Sequence, residues 1–442
     1  MSGFKVFSSG QDLDELFQPR TGTDPSAQLV PFVTRAGQNL SERYYPYTSG
    51  TKAIMTGFKF FDTSGNIQDL NDYYRKGPSW SGVGSGTSSA VTAISVLDAS
   101  NVYVGGLFTT VLDVSGVSVT GTSRIAKWNA NTSTWSALIE GANNTVRTIY
   151  ALDLSNVYVG GEFSKTDASY NRFAIWNANT STWRTLGTGV STTGISVVYA
   201  VYAVNTSNVY VGGIFANASG IPGTTNIAKW NGTTWTRMGS GSMSNTVSYA
   251  VTSIYAVNTS NVYVGGNFNN VLDVSGNAVA KTAYIAKWNG STWSALGSGM
   301  NSTVNAIYAL NASNVYVGGA FTNALDAGGN PVAKTAYIAK WNGSTWSALG
   351  SGTTSTVNAI YALDESNVYV GGVYANALDV SGNPVSGTFG ISKWNGNNWS
   401  ALVSGLSDNA AVSIGALNTF NVYIGGSFTK TDASYNYIAK WG

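Results

Sequence analysis

The chain contains neither cysteine nor histidine among its 442 residues. Disulfides, cysteine–histidine zinc sites, a cysteine nucleophile and a serine–histidine–aspartate triad are therefore excluded. Glutamate is also scarce, and none of Glu15, Glu42, Glu140, Glu162 and Glu365 recurs at a repeat position. A glycosidase needs two carboxylates about 5–10 Å apart, and the glutamates do not indicate such a pair. We predict a protein that is not an enzyme and has no cofactor and no metal; a carboxylate-dependent lyase or hydrolase is the alternative.

Charge is sparse as well. Only 10% of the residues are charged, and the formal net charge is +2. The sequence therefore lacks the basic footprint of a nucleic-acid-binding protein. No run of 18 apolar residues occurs, and the first residues, Met1 to Lys5, contain no apolar signal segment. We expect no nucleic-acid partner, no membrane insertion and a soluble chain without a secretory signal; the composition leaves its localisation open.

A motif of six residues, Asn-Val-Tyr-Val-Gly-Gly, is abundant in the chain. It occurs six times, and once more with isoleucine as its fourth residue. The seven copies begin at Asn101, Asn156, Asn208, Asn261, Asn314, Asn367 and Asn421. Successive copies start 52 to 55 residues apart. A fixed period near 50 residues is typical of a propeller or a solenoid.

Each repeat divides into four predicted strands, which we call a to d. In the fifth copy they cover 304–310, 315–321, 337–341 and 345–349. Strands a and b are almost continuously apolar, which predicts burial on both faces of a sheet. The double glycine of strand b predicts the close approach of another backbone. The pair Asn342-Gly343 predicts a tight c–d turn, since both residue types tolerate positive φ.

The tryptophans show how the repeats close into a ring. Seven of the fourteen end strand c, at positions 128, 176, 230, 288, 341, 394 and 441. Six follow in strand d, namely Trp135, Trp183, Trp235, Trp293, Trp346 and Trp399. The seventh copy lacks this second tryptophan, and the remaining one is Trp80, ahead of the first copy. We therefore predict an all-β fold over residues 79–442, a seven-bladed propeller of four-stranded antiparallel blades whose last blade is closed by an N-terminal strand near Trp80.

An apolar strand ending in Gly-Gly, followed by an aromatic strand, a turn and Thr-Trp, resembles the kelch repeat. The array is similar to the central propeller of galactose-oxidase-like proteins over about Trp80 to Gly442. That resemblance implies the fold and not an activity, because this architecture serves enzymes, lectins and adaptors alike. The copper chemistry of galactose oxidase needs histidine and a cysteine-linked tyrosine, which this chain lacks. Sialidase-like turns need an aspartate where Trp341 stands.

Residues 1–78 contain a different repeat, Gln-(Asp/Asn)-Leu-x-(Asp/Glu)-x-aromatic, at 11–17, 38–44 and 68–74. Each copy follows a short apolar segment, and its Asp or Asn with an acid three residues later predicts a helix N-terminus. We predict a small α+β appendage of three strand–turn–helix units that anchors the protein or binds a protein partner. The segment loosely resembles N-terminal parts of structural proteins of large DNA viruses, which implies a virion component.

Three sets of side chains are candidate contacts. The six strand d tryptophans are interpreted as packing residues or, alternatively, as stacking platforms for glycans. The longer b–c loops carry Asp113, Asp273, Asp326 and Asp379, which predict Asx-type turns on a partner-binding face, with a calcium site as the weaker reading. A lysine recurs in strand c except at Ile175, and it indicates a solvated outer strand or an interrupted cationic ring.

Together these features favour a structural or interaction protein, a rigid propeller that presents loops and is anchored through residues 1–78, in a virion or on a particle surface if it is viral. A glycan-binding propeller with repeated aromatic pockets is the alternative.

Overall fold

The computed structural model describes residues 79–442 except residue 140 and segments 165–170, 191–195, 241–249, 403–405, 407–410 and 430–435, together with strands Lys59–Phe61 and Ile67–Asp69. The chain divides into two compact units, Met1–Pro78 and Ser79–Gly442. Every regular element in the described residues is a β-strand. Within that part of the chain no helix has the length and apolar character of a membrane span.

In the first unit, Lys59–Phe61 and Ile67–Asp69 pair antiparallel, with Phe60 opposite Gln68. Lys59–Phe61 lies in the short apolar segment before the third N-terminal repeat. Gln68 and Asp69, placed at a helix start by the sequence, are strand residues. The helix predicted after Asp69 and the two earlier repeats lie outside the described residues.

The second unit contains seven four-stranded antiparallel sheets with the spatial order a, b, c, d. This confirms the predicted seven-bladed propeller. A separate two-stranded sheet, Val111–Leu112 with Ser118–Val119, lies in the b–c loop of blade 1. The strands of blade 1 are Val91–Asp98, Asn101–Gly106, Ile125–Asn129 and Thr134–Ala137. Those of blade 2 are Val146–Asp153, Asn156–Ser164, Asn171–Asn177 and Thr182–Arg184. Those of blade 3 are Val197–Asn205, Asn208–Ile214, Ile227–Trp230 and Trp235–Thr236. The strands of blade 4 are Val251–Asn258, Asn261–Gly266, Ile285–Trp288 and Trp293–Ser294. Those of blade 5 are Val304–Asn311, Asn314–Gly319, Ile338–Trp341 and Trp346–Ser347. Those of blade 6 are Val357–Asp364, Asn367–Gly372, Ile391–Trp394 and Trp399–Ser400.

Blade 7 takes three strands from the end of the chain, Ala411–Ala416, Val422–Thr429 and Asn436–Trp441, and its strand d from the beginning, Trp80–Gly82. Trp80 pairs with Trp441 in this sheet. The Trp80 indole N–H donates to the Leu402 carbonyl of blade 6 at 3.2 Å. The strand d tryptophans of blades 2 to 6 donate in the same way to the blade before them. The predicted closure is confirmed.

Strand b is the most buried element of each blade, and its glycine pair explains how the blades pack. A Cβ on Gly318 would lie 2.4 Å from Val357 Cγ1 of the next blade, and a Cβ on Gly319 would lie 2.1 Å from the Thr303 carbonyl oxygen. Real Cβ atoms cannot approach so closely. The sequence predicted the close approach of a backbone at both glycines. That holds for the second glycine, whereas the first admits a side chain of the next blade.

The c–d turns use Asn and Gly for different purposes. Gly343 adopts a φ of 98°, while Asn342 is not among the residues with positive φ. The Asn342 side-chain oxygen instead accepts the backbone N–H groups of Ser344 and Thr345 at 3.0 and 2.8 Å. The predicted tight c–d turn is confirmed, with the glycine at positive φ and the asparagine acting through its side chain.

Candidate functional site

The b–c loops of blades 1, 4, 5 and 6 are hairpins held by the predicted aspartates. In blade 4, Asp273 Oδ1 accepts the N–H groups of Ser275 and Asn277 at 2.8 and 2.9 Å, and Oδ2 accepts the Asn277 side-chain amide at 3.3 Å. Asp326 and Asp379 make the same set of bonds, and Asp113 makes the two backbone ones. The Asx-type turn is confirmed.

These bonds define the charge state of the loops. Backbone N–H donors, from Asn277 first, lower the pKa of Asp273, and the equivalent donors lower the pKa values of Asp326 and Asp379. The carboxylates therefore stay ionised near neutral pH. Their oxygens are already engaged by the loop itself. In the described part of the chain no three acidic side chains group as metal ligands would.

A buried threonine fixes the base of each hairpin. Thr282 Oγ1 accepts the Val271 N–H at 3.1 Å and donates to the Val279 carbonyl at 2.6 Å. Thr335 and Thr388 repeat this arrangement in the next two blades. With its tip and its base both hydrogen-bonded, each loop is preorganised.

The loops of blades 4, 5 and 6 are also joined to one another. Lys281 Nζ donates to the Ala327 carbonyl of the next loop at 2.5 Å, and Lys334 Nζ donates to the Val380 carbonyl at 2.5 Å. The equivalent residue in blade 6 is Gly387, so this series ends there. We call these three loops, residues 271–282, 324–335 and 377–388, the loop crest.

The tips of these hairpins are apolar and exposed. Val274 and Val380 in the loop crest are 67% and 57% exposed, and Val114 in blade 1 is 64% exposed. A valine held rigidly in water loses the free energy that burial would provide, on the order of 1.5–3 kcal/mol per side chain. The exposed valines recur at the same loop position in blades 1, 4 and 6, and Ala327 stands at this position in blade 5.

The strand d tryptophans occupy the opposite environment. Trp135, Trp235, Trp293, Trp346 and Trp399 are 2 to 7% exposed, and Trp183 is partly buried. In blades 1 to 6 each packs against the strand c tryptophan of its own blade, with ring centroids 5.0 to 5.6 Å apart. The buried rings leave almost no face on which a sugar could stack, which favours the packing interpretation.

The strand c lysines cover buried tyrosines of strand b. Four of them lie 5.5 to 5.9 Å from the ring centroid of their cross-strand tyrosine. Burial lowers the pKa of Lys229, Lys393 and Lys440. Lys340 also forms an ion pair with Glu365 at 3.1 Å. These lysines contact their own and neighbouring blades, so they do not form one converging site.

A column of tyrosines, not predicted from the sequence, lies at the inner rim, where strands a of successive blades are side by side. Blades 2 to 6 contribute one each, namely Tyr150, Tyr202, Tyr255, Tyr308 and Tyr361. Neighbouring ring centroids are 4.4 to 4.9 Å apart, and the Tyr361 hydroxyl donates to the Ala416 carbonyl at 2.8 Å. Ser95 and Gly415 stand at this position in blades 1 and 7. Alignment of the seven strands a would have revealed the column.

Comparisons with known proteins identify the architecture. No family model and no curated protein matches the chain. Among solved structures, the chain is similar to U3-55K, with 10% identity, a TM-score of 0.51 and coverage of 82% of this chain and 98% of the other. The chain is also similar to the RRP9 WD40 repeats, with 10% identity, a TM-score of 0.51 and coverage of 82% of this chain and 96% of the other. For the WD40 propeller domain of Doa1 the identity is 11% and the TM-score 0.50, with coverage of 82% of this chain and 97% of the other. At such identities these likenesses show the propeller fold alone.

Proposed function

We propose that this protein is a non-enzymatic interaction scaffold that binds a protein partner through the loop crest. The observation that carries the proposal is the exposure of Val274 and Val380 on loops whose backbones are already fixed. Apolar residues on a preorganised frame bind with little loss of conformational entropy. The acidic tips between them supply charge that orients a partner without dominating its affinity.

The described residues suit this role better than catalysis. The carboxylates at the loop tips are engaged by backbone N–H groups, which lower the pKa values of Asp273, Asp326 and Asp379. General acid–base catalysis needs a group that exchanges protons near the working pH. An ionised carboxylate that accepts hydrogen bonds from its own loop serves to shape that loop.

Residues 1–78 are proposed to anchor the scaffold in a larger assembly. Three short repeats of 27 to 30 residues are each too small to bury a core of their own, which supports a role in contacting something else. A virion is the assembly that the resemblance of this segment suggests. Stoichiometric recovery of the chain from purified particles of its source is the observation that tests this part of the proposal.

Site-specific photocrosslinking tests the loop crest, and the absence of native cysteine makes it clean. Val274→Cys places a crosslinker on the crest, and Ser260→Cys places one on an exposed a–b turn at the other edge of the same blade. Both variants are incubated with extract from the source. One saturable adduct from Val274→Cys alone, suppressed by excess unlabelled protein, is the expected result.

Competition by a Val274→Asp, Val380→Asp double variant supplies the matched control. It should suppress the adduct much less than the unaltered protein, because two charges replace two apolar contacts. Equal labelling from both cysteine variants would contradict the proposal. Glycan binding is the alternative outcome, in which free oligosaccharide would also suppress the adduct.

A further inference from the structure

Blade 2 departs from the other blades at one pair of facing residues. Strand c carries Ile175 where the others carry lysine, and strand d carries Arg184 where the others carry serine or threonine. Ile175 and Arg184 are directly opposite each other in the sheet. Blade 2 therefore also has a cation at this place in the sheet, but on strand d and not on strand c.

The relocated cation makes the contact that Lys127 makes in blade 1. Arg184 donates to the Asn156 side-chain oxygen at 2.6 Å, as Lys127 does to Asn101 in blade 1 at 3.3 Å. A hydrogen bond to this asparagine explains why blade 2 has a cation near strand b. It does not account for a guanidinium in place of an ammonium, because a lysine makes this contact in blade 1.

The guanidinium borders a cleft between blades 2 and 3 with a volume of about 370 Å³. Its walls include Tyr158, Arg184 and Thr185 from blade 2 and Thr206, Ser207 and Trp230 from blade 3. This volume lies within the range of small-molecule sites, roughly 300–1,000 Å³. The cleft is distinct from the loop crest, which belongs to blades 4 to 6.

The groups around the cleft favour a single negative charge. Four hydroxyl groups line it, and burial raises the pKa of Tyr158 to about 12, so this phenol remains protonated. Asp153, whose carboxylate accepts the Asn156 amide at 2.9 and 3.0 Å, adds one nearby negative charge. One guanidinium offset by one carboxylate disfavours a dianion such as phosphate. A planar carboxylate matches the guanidinium fork.

We infer that the cleft between blades 2 and 3 binds a small carboxylate, with Arg184 holding the carboxylate oxygens and Trp230 contacting the rest of the ligand. Such a group is found in small aromatic or aliphatic acids and at the carboxyl terminus of a peptide ending in an apolar residue. Both share the chemistry that the lining recognises.

Titration of protein labelled with ¹⁵N in its tryptophan indoles tests the inference. The probes are benzoate, a short peptide ending in leucine with a free carboxyl group, and the same peptide amidated. The Trp230 N–H resonance, assigned by Trp230→Phe, should shift saturably with benzoate, with the free peptide or with both, and not with the amidated peptide. Sodium chloride at equal ionic strength is the reference.

The matched variant exchanges the two residues, Ile175→Lys with Arg184→Ser, and so restores the arrangement of the other blades. It conserves net charge and keeps a cation for Asn156, and unchanged indole signals elsewhere report that it is folded. Binding should weaken about tenfold or more, as expected on removal of a charge-assisted hydrogen bond, and Tyr158→Phe should weaken it severalfold. Saturable shifts of equal affinity in the exchanged variant, or no shift with either acid, would overturn the inference.

Discussion

Trp80 and Trp441 lie directly opposite each other in blade 7, with ring centroids 5.3 Å apart and ring planes at 61°. One stands at the start of the propeller and the other is the residue before the last. Their pairing closes the ring with the same tryptophan contact that the other six blades make within a continuous segment. It removes the exposed edge that strand c of blade 7 would otherwise present.

Loss of this strand should destabilise blade 7. Truncation of residues 1–85 removes strand d, whereas truncation of residues 1–78 leaves Trp80–Gly82 in place. We expect the longer truncation to unfold at lower temperature and lower urea concentration, because an end unit of a nearest-neighbour array has lost part of its interface. Trp80→Ala in the full chain should reduce the unfolding free energy by about 3 kcal/mol.

Hydrogen exchange locates the effect. The amides of Val422–Thr429 and Asn436–Trp441 should exchange faster in the longer truncation, and those of blades 3 and 4 should change less. Identical melting of the two truncated chains would show that the ring does not depend on Trp80–Gly82.

The first glycine of strand b should tolerate no side chain. Gly318→Ala places a methyl group against Val357 Cγ1 and Ile360 Cδ1 of blade 6. Overpacking of this kind costs about 1–3 kcal/mol, which urea unfolding measures. Gly343→Ala provides a comparison in which positive φ, and not a packing contact, is the source of strain.

A second substitution should relieve the clash at Gly318. The junction between blades 6 and 7 carries the smaller residue Ala411 opposite Gly371. We therefore expect Gly318→Ala with Val357→Ala to be less destabilised than the sum of the single changes. Additive or greater losses would indicate that packing against Val357 is not what requires glycine.

The loop aspartates should make the hairpins sensitive to acid. The pKa of Asp273 is lowered in the folded chain, so its contribution is complete above its unfolded pKa, near 3.9, and is lost as the pH falls through the lower folded value. The Ser275 and Asn277 amides should lose protection in that acidic range. Asp273→Ala should lose this protection already at neutral pH, while Asp273→Asn should retain part of it because the amide oxygen still accepts. Exchange rates that do not respond to either change would contradict the role of the carboxylate.

The strand b tyrosines should make the propeller sensitive to alkali. Burial raises the pKa of Tyr103, Tyr210 and Tyr369 to about 12. A phenol whose folded pKa lies above its unfolded value near 10 stabilises the fold fully below that unfolded value. Its contribution is lost as the pH rises toward the folded pKa. Tyrosinate absorbance should therefore rise in two phases, first for exposed tyrosines and then together with unfolding. A single phase centred near 10 with the fold intact would refute the burial argument.

The periodic sequence by itself determined the number of blades, the four strands of each and the closure at Trp80. It could do so because each blade is specified by its own local pattern, and the number of copies gives the number of blades. Counting the tryptophans left Trp80 as the one that completes the seventh blade. The hairpins at Asp113, Asp273, Asp326 and Asp379 were likewise predictable, since an Asx turn is formed within five residues.

Only the tertiary structure decided which surfaces are available for binding. Trp346 and Val274 are both apolar in the sequence, yet the first is buried against its own and the preceding blade and the second stands in water. The links from Lys281 and Lys334 to the next loops, and the cleft beside Arg184, depend on contacts between blades and across strands. Such contacts join residues far apart in the chain, and no local pattern specifies which of them will meet.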